Sequence, residues 1–148
     1  MMTNDEINSI RKSFHMLEGK TEEVAMLFYN RLFQLDPSLR KLFRGDMKEQ
    51  GKKLMDAMIV LNASLDHFQR LRHSLRHMGK RHAEYGVREE HYAVVGTALL
   101  QTLEEFAGTK FDSTLKYAWT KLLTVVSGEM LHGASERVAM EPAATAAL

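Results

Sequence analysis

Cysteine is absent from the 148 residues, which excludes disulfide scaffolds, thiolate zinc sites, Cys-held iron–sulfur clusters and every Cys nucleophile. Any metal chemistry falls to histidine or carboxylate. Proline is scarce as well: Pro37 and Pro142 are the only two, so little else interrupts a helix, and no Asn-Gly or Asp-Gly pair signals a hairpin. Nor is there an excess of one charge. With 20 Lys and Arg against 19 Asp and Glu the net charge is +1, so no overall field recruits nucleic acid or an anionic membrane. No stretch approaches the roughly 18 apolar residues of a membrane span. The segment from Met1 to Lys12 carries Asp5, Glu6, Arg11 and Lys12 with no apolar run behind it, unlike a signal peptide. The expectation is a soluble, cytoplasmic protein with neither membrane nor nucleic acid as a partner. What the chain does have is apolar content, 45% of its residues, enough for one domain with a sizeable core.

The apolar positions repeat with a helical period throughout, so the fold class reads as all-α. Ile7, Ile10, Phe14 and Leu17 share one face of a first helix that Gly19 can end, and Thr21 is the expected N-cap of the next. Val24, Leu27, Phe28, Leu32 and Leu35 form the second stripe, which stops at Asp36-Pro37, an N-cap with proline at the first helical position. A short helix through Leu39, Leu42 and Phe43 follows. Beyond a loop at Arg44 to Asp46, Leu54, Met58, Leu61 and Leu65 make one face of a long helix starting near Lys48, and Asp66 is the expected cap of its successor. Glu89 to Phe106 carries Tyr92, Val95, Leu99 and Leu103, with Gly108 as terminator. The last helix opens at Asp112 and carries Leu115, Trp119, Leu122, Val126 and Met130. The composition turns small and Ala-rich from Ala139, so the predicted division is a domain over residues 1–134 and a frayed tail over 135–148.

Three polar side chains fall where this periodicity predicts burial. Tyr29 lies beside Phe28 and Leu32, and Gln50 stands one turn before Leu54. His82 continues the stripe of Phe68, Leu71, Leu75 and Met78. An unpaired buried polar group costs about 1 to 3 kcal/mol, so each needs a partner or a ligand. Each also has a plain structural reading: a satisfied core histidine, a tyrosine with its hydroxyl at the core edge, a glutamine facing water. Around His82 lie His67, His73 and His77, interleaved with Arg70, Arg72, Arg76, Lys80 and Arg81. His73 and His77 have the i, i+4 spacing of two metal ligands and the cations could meet phosphate, but a solvated helix face is the favoured reading. His15, His91 and His132 show no partner in the sequence.

These positions come together in a resemblance. The segments LFYNRLFQLDPSLRKLF, GKRHAEYGV, HYAVVGTALL and AWTKLL occur in this order, and the chain from about residue 5 to 132 resembles the globin family. It is most like the bacterial single-domain globins and the globin domain of flavohaemoglobins. The resemblance implies a three-over-three helical sandwich enclosing one haem b. It implies that His82 is the axial, proximal ligand of the iron, with its second ring nitrogen donating to a backbone carbonyl near Met78. Phe43 matches the aromatic on the haem edge, Tyr29 the distal tyrosine, Gln50 the distal-helix residue that faces the ligand, and Leu54 the apolar residue one turn on. Met78, Val87, Tyr92 and Val95 complete the implied haem surroundings, and Lys53 and Arg81 are placed to reach the propionates. The chain departs from the flavohaemoglobin pattern in one respect: Tyr92 matches a tyrosine that backs the proximal histidine, but the companion glutamate falls at Gly133 or Ala134, with Glu129 and Glu136 out of register. A weaker proximal push, and less peroxidase-like chemistry, is the implied result.

For function, the resemblance implies reversible O2 binding of high affinity, with CO gaining less because it carries less charge. Two hydrogen bonds of about 1.5 kcal/mol each would raise O2 affinity by about two orders of magnitude. The alternative is a nitric oxide dioxygenase that consumes O2 and NO, and haem-based sensing is a third reading. The matching segments hold no FAD- or NADH-binding half, so turnover implies an external electron donor or reductase. A haem-free metal- or nucleic-acid-binding helical module using the His/Arg cluster is the remote alternative.

Overall fold

Helix starts follow the placement of short polar side chains, with three exceptions. The computed structural model describes the backbone of residues 2–140 and the side chains of residues 2–136. α1 (Asn4–His15) opens with a capping box, in which Glu6 N donates to Thr3 Oγ1 at 3.1 Å and Thr3 N to Glu6 Oε1 at 2.8 Å. α2 (Thr21–Leu35) does not use Thr21 as its cap. Thr21 is the first helical residue, Lys20 occupies the cap position, and Glu22 and Glu23 complement the helix dipole in the first turn. Asp36 accepts from Ser38 N at 3.1 Å and starts a 3-10 turn over Pro37–Leu42, and Asp46 does the same for α3 (Met47–Ala63) through Lys48 N. Asp66 is the second exception. Its carboxylate is taken by the Arg11 guanidinium at 3.1 Å, which also donates to the carbonyls of Asn62 and Ala63, so α4 (Phe68–Glu84) begins behind His67 with no side-chain cap. α5 (Glu89–Ala107), the third exception, begins behind Arg88 and ends at Gly108, and α6 (Ser113–Met140) opens where Leu115 N donates to Asp112 Oδ1 at 2.9 Å.

The helices form two layers of three, α1, α3 and α4 over α2, α5 and α6, as the globin expectation requires. Within layers α1 meets α3, and α5 meets both α2 and α6; between layers α4 packs along α6, α2 crosses α3, and α1 crosses α6. Among the described residues there is no strand. The core between the layers is built from the stripes read in the sequence: Ile7 and Ile10, Val24, Phe28 and Leu32, Leu99 and Leu103, Leu115 and Leu122. Each buried side chain of this size contributes about 1.5 to 3 kcal/mol. Trp119, 1% exposed, is the largest member, and its Nε1 donates to Ser13 Oγ at 2.9 Å while that hydroxyl donates to Ile10 carbonyl oxygen at 2.8 Å.

α6 continues to Met140, so the boundary predicted at 134/135 does not coincide with a helix end. The remainder of the Ala-rich tail, 141–148, lies outside the described residues.

Two close helix crossings fix the parts of the fold that matter below. At the first, α2 and α3 approach so tightly that a Cβ on Gly51 would stand 2.9 Å from Ala25 Cβ. At the second, α4 and α6 meet backbone to backbone at Gly79 and Gly133. By contrast α3 and α4, although consecutive, are not a closely packed pair among the described residues.

Candidate functional site

The α2–α3 crossing brings Tyr29 and Gln50 together. Tyr29 lies one turn beyond Ala25, and Gln50 directly precedes Gly51, so contact between the small residues aims both polar side chains into the same space. Tyr29 is 7% exposed. Burial pushes its phenol above the ordinary 10.0, and a hydrogen bond with Gln50 offsets part of that rise. The hydroxyl therefore keeps its proton throughout the neutral range. The Tyr29 ring is held edge-on by Phe28 at 4.9 Å and by Phe43 at 5.3 Å, and it stacks on Phe33 at 6.0 Å between centroids. Phe43 reaches this cluster because the 3-10 turn after Asp36-Pro37 directs the chain back across α2. The turn is held from outside by Arg40, which lies over Phe33 at 5.5 Å and donates to Phe43 carbonyl oxygen at 3.1 Å.

On α4, His82 Nδ1 lies 2.8 Å from Met78 carbonyl oxygen, one turn back. A carbonyl only accepts, so Nδ1 carries the proton and the Nε2 lone pair is left over, with no partner among the described residues. Burial lowers the His82 pKa; the Met78 bond raises it somewhat and the Arg81 charge lowers it again. The imidazole is thus neutral, the form that ligates a metal. Tyr85 lies 5.8 Å from it between ring centroids. Beyond Tyr85 the chain turns at Gly86, whose φ of 102° is a left-handed value that only glycine takes without strain. A Cβ there would also press on Leu42 Cδ2 at 3.3 Å. Gly86 thereby lets the end of α4 close against the turn that carries Phe43, and Val87 N donates back to His82 carbonyl oxygen at 3.0 Å.

The two groups stand on the two helices that do not pack closely, Gln50 and Leu54 on α3, Met78 and His82 on α4. A cleft of about 270 Å³ lies between the same two helices, lined by Ala57, Val60, Leu61, Leu71, Leu75 and Met78 with the polar Asp56 and Ser74, and of these four residues it has Met78 in its wall. A larger cleft, about 830 Å³, lies between α2 and α3 and has Tyr29, Phe33 and Met55 in its walls. Leu54, Met78 and Tyr92 are partly buried against the core, and Val87 is partly buried. Val95 is 36% exposed. Lys53 and Arg81 are exposed at the periphery. The Tyr92 hydroxyl is buried without a hydrogen-bond partner among the described residues, and burial raises its pKa. The structure brings Tyr29, Gln50 and Phe43 into contact, and Met78 with His82; no hydrogen bond or ring contact joins one group to the other among the described residues.

Several partners were not legible in the sequence. Glu129, 17% exposed, takes Arg76 at 2.8 Å and Arg72 at 3.3 Å, so two cations of the α4 cluster are clamped to α6. His73 and His77 are exposed, and among the described residues no group of three or more His, Cys, Asp or Glu could hold a metal ion. His15 pairs with Glu18, His91 Nδ1 accepts from Arg88 N at 2.9 Å, and His132 lies 3.6 Å from Glu136. Each histidine that looked partnerless in the sequence therefore has a neighbour, one supplied within a turn of its own helix or loop.

Comparison with known proteins agrees with this architecture. A family model described as Globin matches residues 26–130. The chain is 30% identical to an uncharacterized globin-like protein of Aquifex aeolicus over 105 residues, covering 71% of this chain and 76% of that protein. It is 28% identical to a flavohemoprotein of Vibrio cholerae over 81% of its own length but only 31% of the relative's, so it spans about a third of that protein. An engineered carbene transferase from a candidate nitric oxide dioxygenase of Rhodothermus marinus superposes with a TM-score of 0.83, covering 94% of this chain and 97% of that one at 24% identity, a likeness of fold. With two thirds of its length matching the family model and the two-layer helical fold in place, the chain belongs to the globin family.

Proposed function

We propose that this chain binds haem b through His82 Nε2 and holds O2 reversibly with high affinity on the Tyr29–Gln50 side. The observation that carries the reading is His82, a neutral, partly buried imidazole with its Nδ1 proton committed to Met78 and its Nε2 lone pair uncommitted. The surroundings suit a flat apolar iron-bearing group: α3 and α4 are held apart over an apolar cleft, Val95 offers exposed apolar surface, and Lys53 and Arg81 supply cations at the edge. Haem iron supplies the ability to bind a diatomic gas and, on binding O2, to shift negative charge onto it. The residues do the rest. Met78 fixes the His82 tautomer and ring orientation, and Phe43 packs against Tyr29 so that the phenol has one position. The Tyr29 hydroxyl and the Gln50 amide would then be placed to donate hydrogen bonds to a ligand that carries negative charge, which would favour O2 over CO. Because Tyr29 stays protonated well above neutrality, this donation is insensitive to physiological pH.

A second reading, nitric oxide dioxygenation with NO as co-substrate and an external reductase as electron donor, is favoured by the similarity to flavohemoproteins. It uses the same Tyr29 and Gln50 donors. The deciding experiment is an absorption spectrum of the purified protein, ferric and dithionite-reduced, followed by stopped-flow mixing of the O2-loaded protein with NO. A Soret band in the wild type that His82→Ala loses on gel filtration supports the axial assignment; equal haem retention by that variant overturns it. Fast stoichiometric nitrate formation then favours the dioxygenase, and slow reaction favours O2 binding.

A further inference from the structure

α4 is not held on α6 by side chains alone. A Cβ built on Gly79 would lie 1.9 Å from Met130 carbonyl oxygen, and one on Gly133 would lie 1.8 Å from Arg76 carbonyl oxygen. The two contacts are reciprocal, each glycine three residues past the residue whose carbonyl the other touches, and both glycines are buried. The Glu129 clamp on Arg72 and Arg76 draws the helices together at the same place. His82 follows Gly79 by three residues, and its ring is tied to the Met78 carbonyl within the same turn. At 100° per residue the two directions lie about 60° apart around the helix.

We infer that Gly79 and Gly133 are positioning residues: their backbone contact sets how far the His82 imidazole reaches toward its ligand. The inference rests on the haem reading of His82. An alanine at 79 must move its Cβ from 1.9 Å to at least 3.0 Å from a backbone oxygen that has no rotamer with which to yield. The retreat of about 1.1 Å carries about half its length along the His82 direction, so the ring withdraws by about 0.5 Å. Metal–ligand distances hold to within about 0.2 Å, so a withdrawal of that size would have to be absorbed as strain between His82 and the metal it would hold. Gly128, on α6 like Gly133, has nothing within 4 Å of a built Cβ and serves as the control.

The test compares haem-reconstituted wild type, Gly79→Ala, Gly133→Ala and Gly128→Ala. The iron–histidine stretching band of the ferrous proteins is read by resonance Raman, haem loss is read by transfer to an excess of apomyoglobin, and melting of the apo forms is recorded separately. The expected result is a lower stretching frequency and haem loss at least tenfold faster in Gly79→Ala. A smaller shift of the same sign is expected in Gly133→Ala, whose clash at Arg76 lies further from His82, and none in Gly128→Ala. Should Gly79→Ala fail to fold, the Gly133→Ala band decides. Lowered apo melting with an unmoved band would show a purely structural role and overturn the inference, as would equal shifts in Gly128→Ala. A wild-type chain with no iron–histidine band at all would overturn the haem reading itself, a distinct failure.

Discussion

Replacing Tyr29 with Phe isolates one oxygen atom in a site whose packing is otherwise preserved. The ring contacts with Phe28, Phe33 and Phe43, at 4.9, 6.0 and 5.3 Å between centroids, are all available to phenylalanine. The hydroxyl does two things: it hydrogen-bonds with Gln50, and in the proposed function it donates to bound O2. Losing the first costs about 0.5 to 1.5 kcal/mol, partly offset because one fewer polar atom is desolvated, so stability of the haem-free chain should change by less than about 1 kcal/mol. Losing the second removes a hydrogen bond to a charge-bearing ligand, about 1.5 to 3 kcal/mol, or at least about tenfold in the O2 dissociation rate. CO, with little charge to stabilise, should dissociate at most a fewfold faster. The assay is stopped-flow replacement of O2 by CO on the reduced protein, with CO release measured by displacement with NO. An O2 dissociation rate within twofold of wild type would show that Tyr29 does not touch the ligand. An equal acceleration of CO release would show that the effect is steric, and would refute the hydrogen-bond argument equally.

Two further outcomes follow from the core. Ser13→Ala leaves the buried Trp119 Nε1 proton without its acceptor, and chemical denaturation should register a loss of about 1 to 3 kcal/mol; an unchanged midpoint would mean that the indole finds another partner. Tyr29 and Tyr92 both have phenols raised above 10.0 by burial, so above that pH the unfolded chain releases protons that the native chain keeps. Stability should therefore fall as pH rises past 10, and Tyr29→Phe should remove part of the slope; a flat stability curve from pH 9 to 11 would contradict the burial of both groups.

The sequence by itself determined which residues are candidates. Helical periodicity placed Tyr29, Gln50 and His82 on buried faces, because a side chain's face follows from its position along a regular helix, while the Met78 carbonyl as the partner of His82 came from the resemblance to globins. Helix starts were legible at Asp36 and Asp112, where the capping residue had no better offer, whereas Asp46 was read only as loop, Thr21 lies inside its helix, and the cap expected at Asp66 is lost because an arginine from α1, distant in sequence, outcompetes the local amides. Glu129 had no visible role for a like reason, since its arginines lie on α4. Gly79 and Gly133 carried no packing signal in the sequence, and only the tertiary structure made them the places where two backbones touch. What the fold alone decided is spacing: that α2 meets α3 at Ala25 and Gly51, that α4 rests on α6, and that α3 and α4 stay apart. Periodicity gives the direction in which a side chain leaves its own helix, but the distance to the next helix is set by the bulk of the residues at the crossing, which is a property of pairs that a single chain position does not carry.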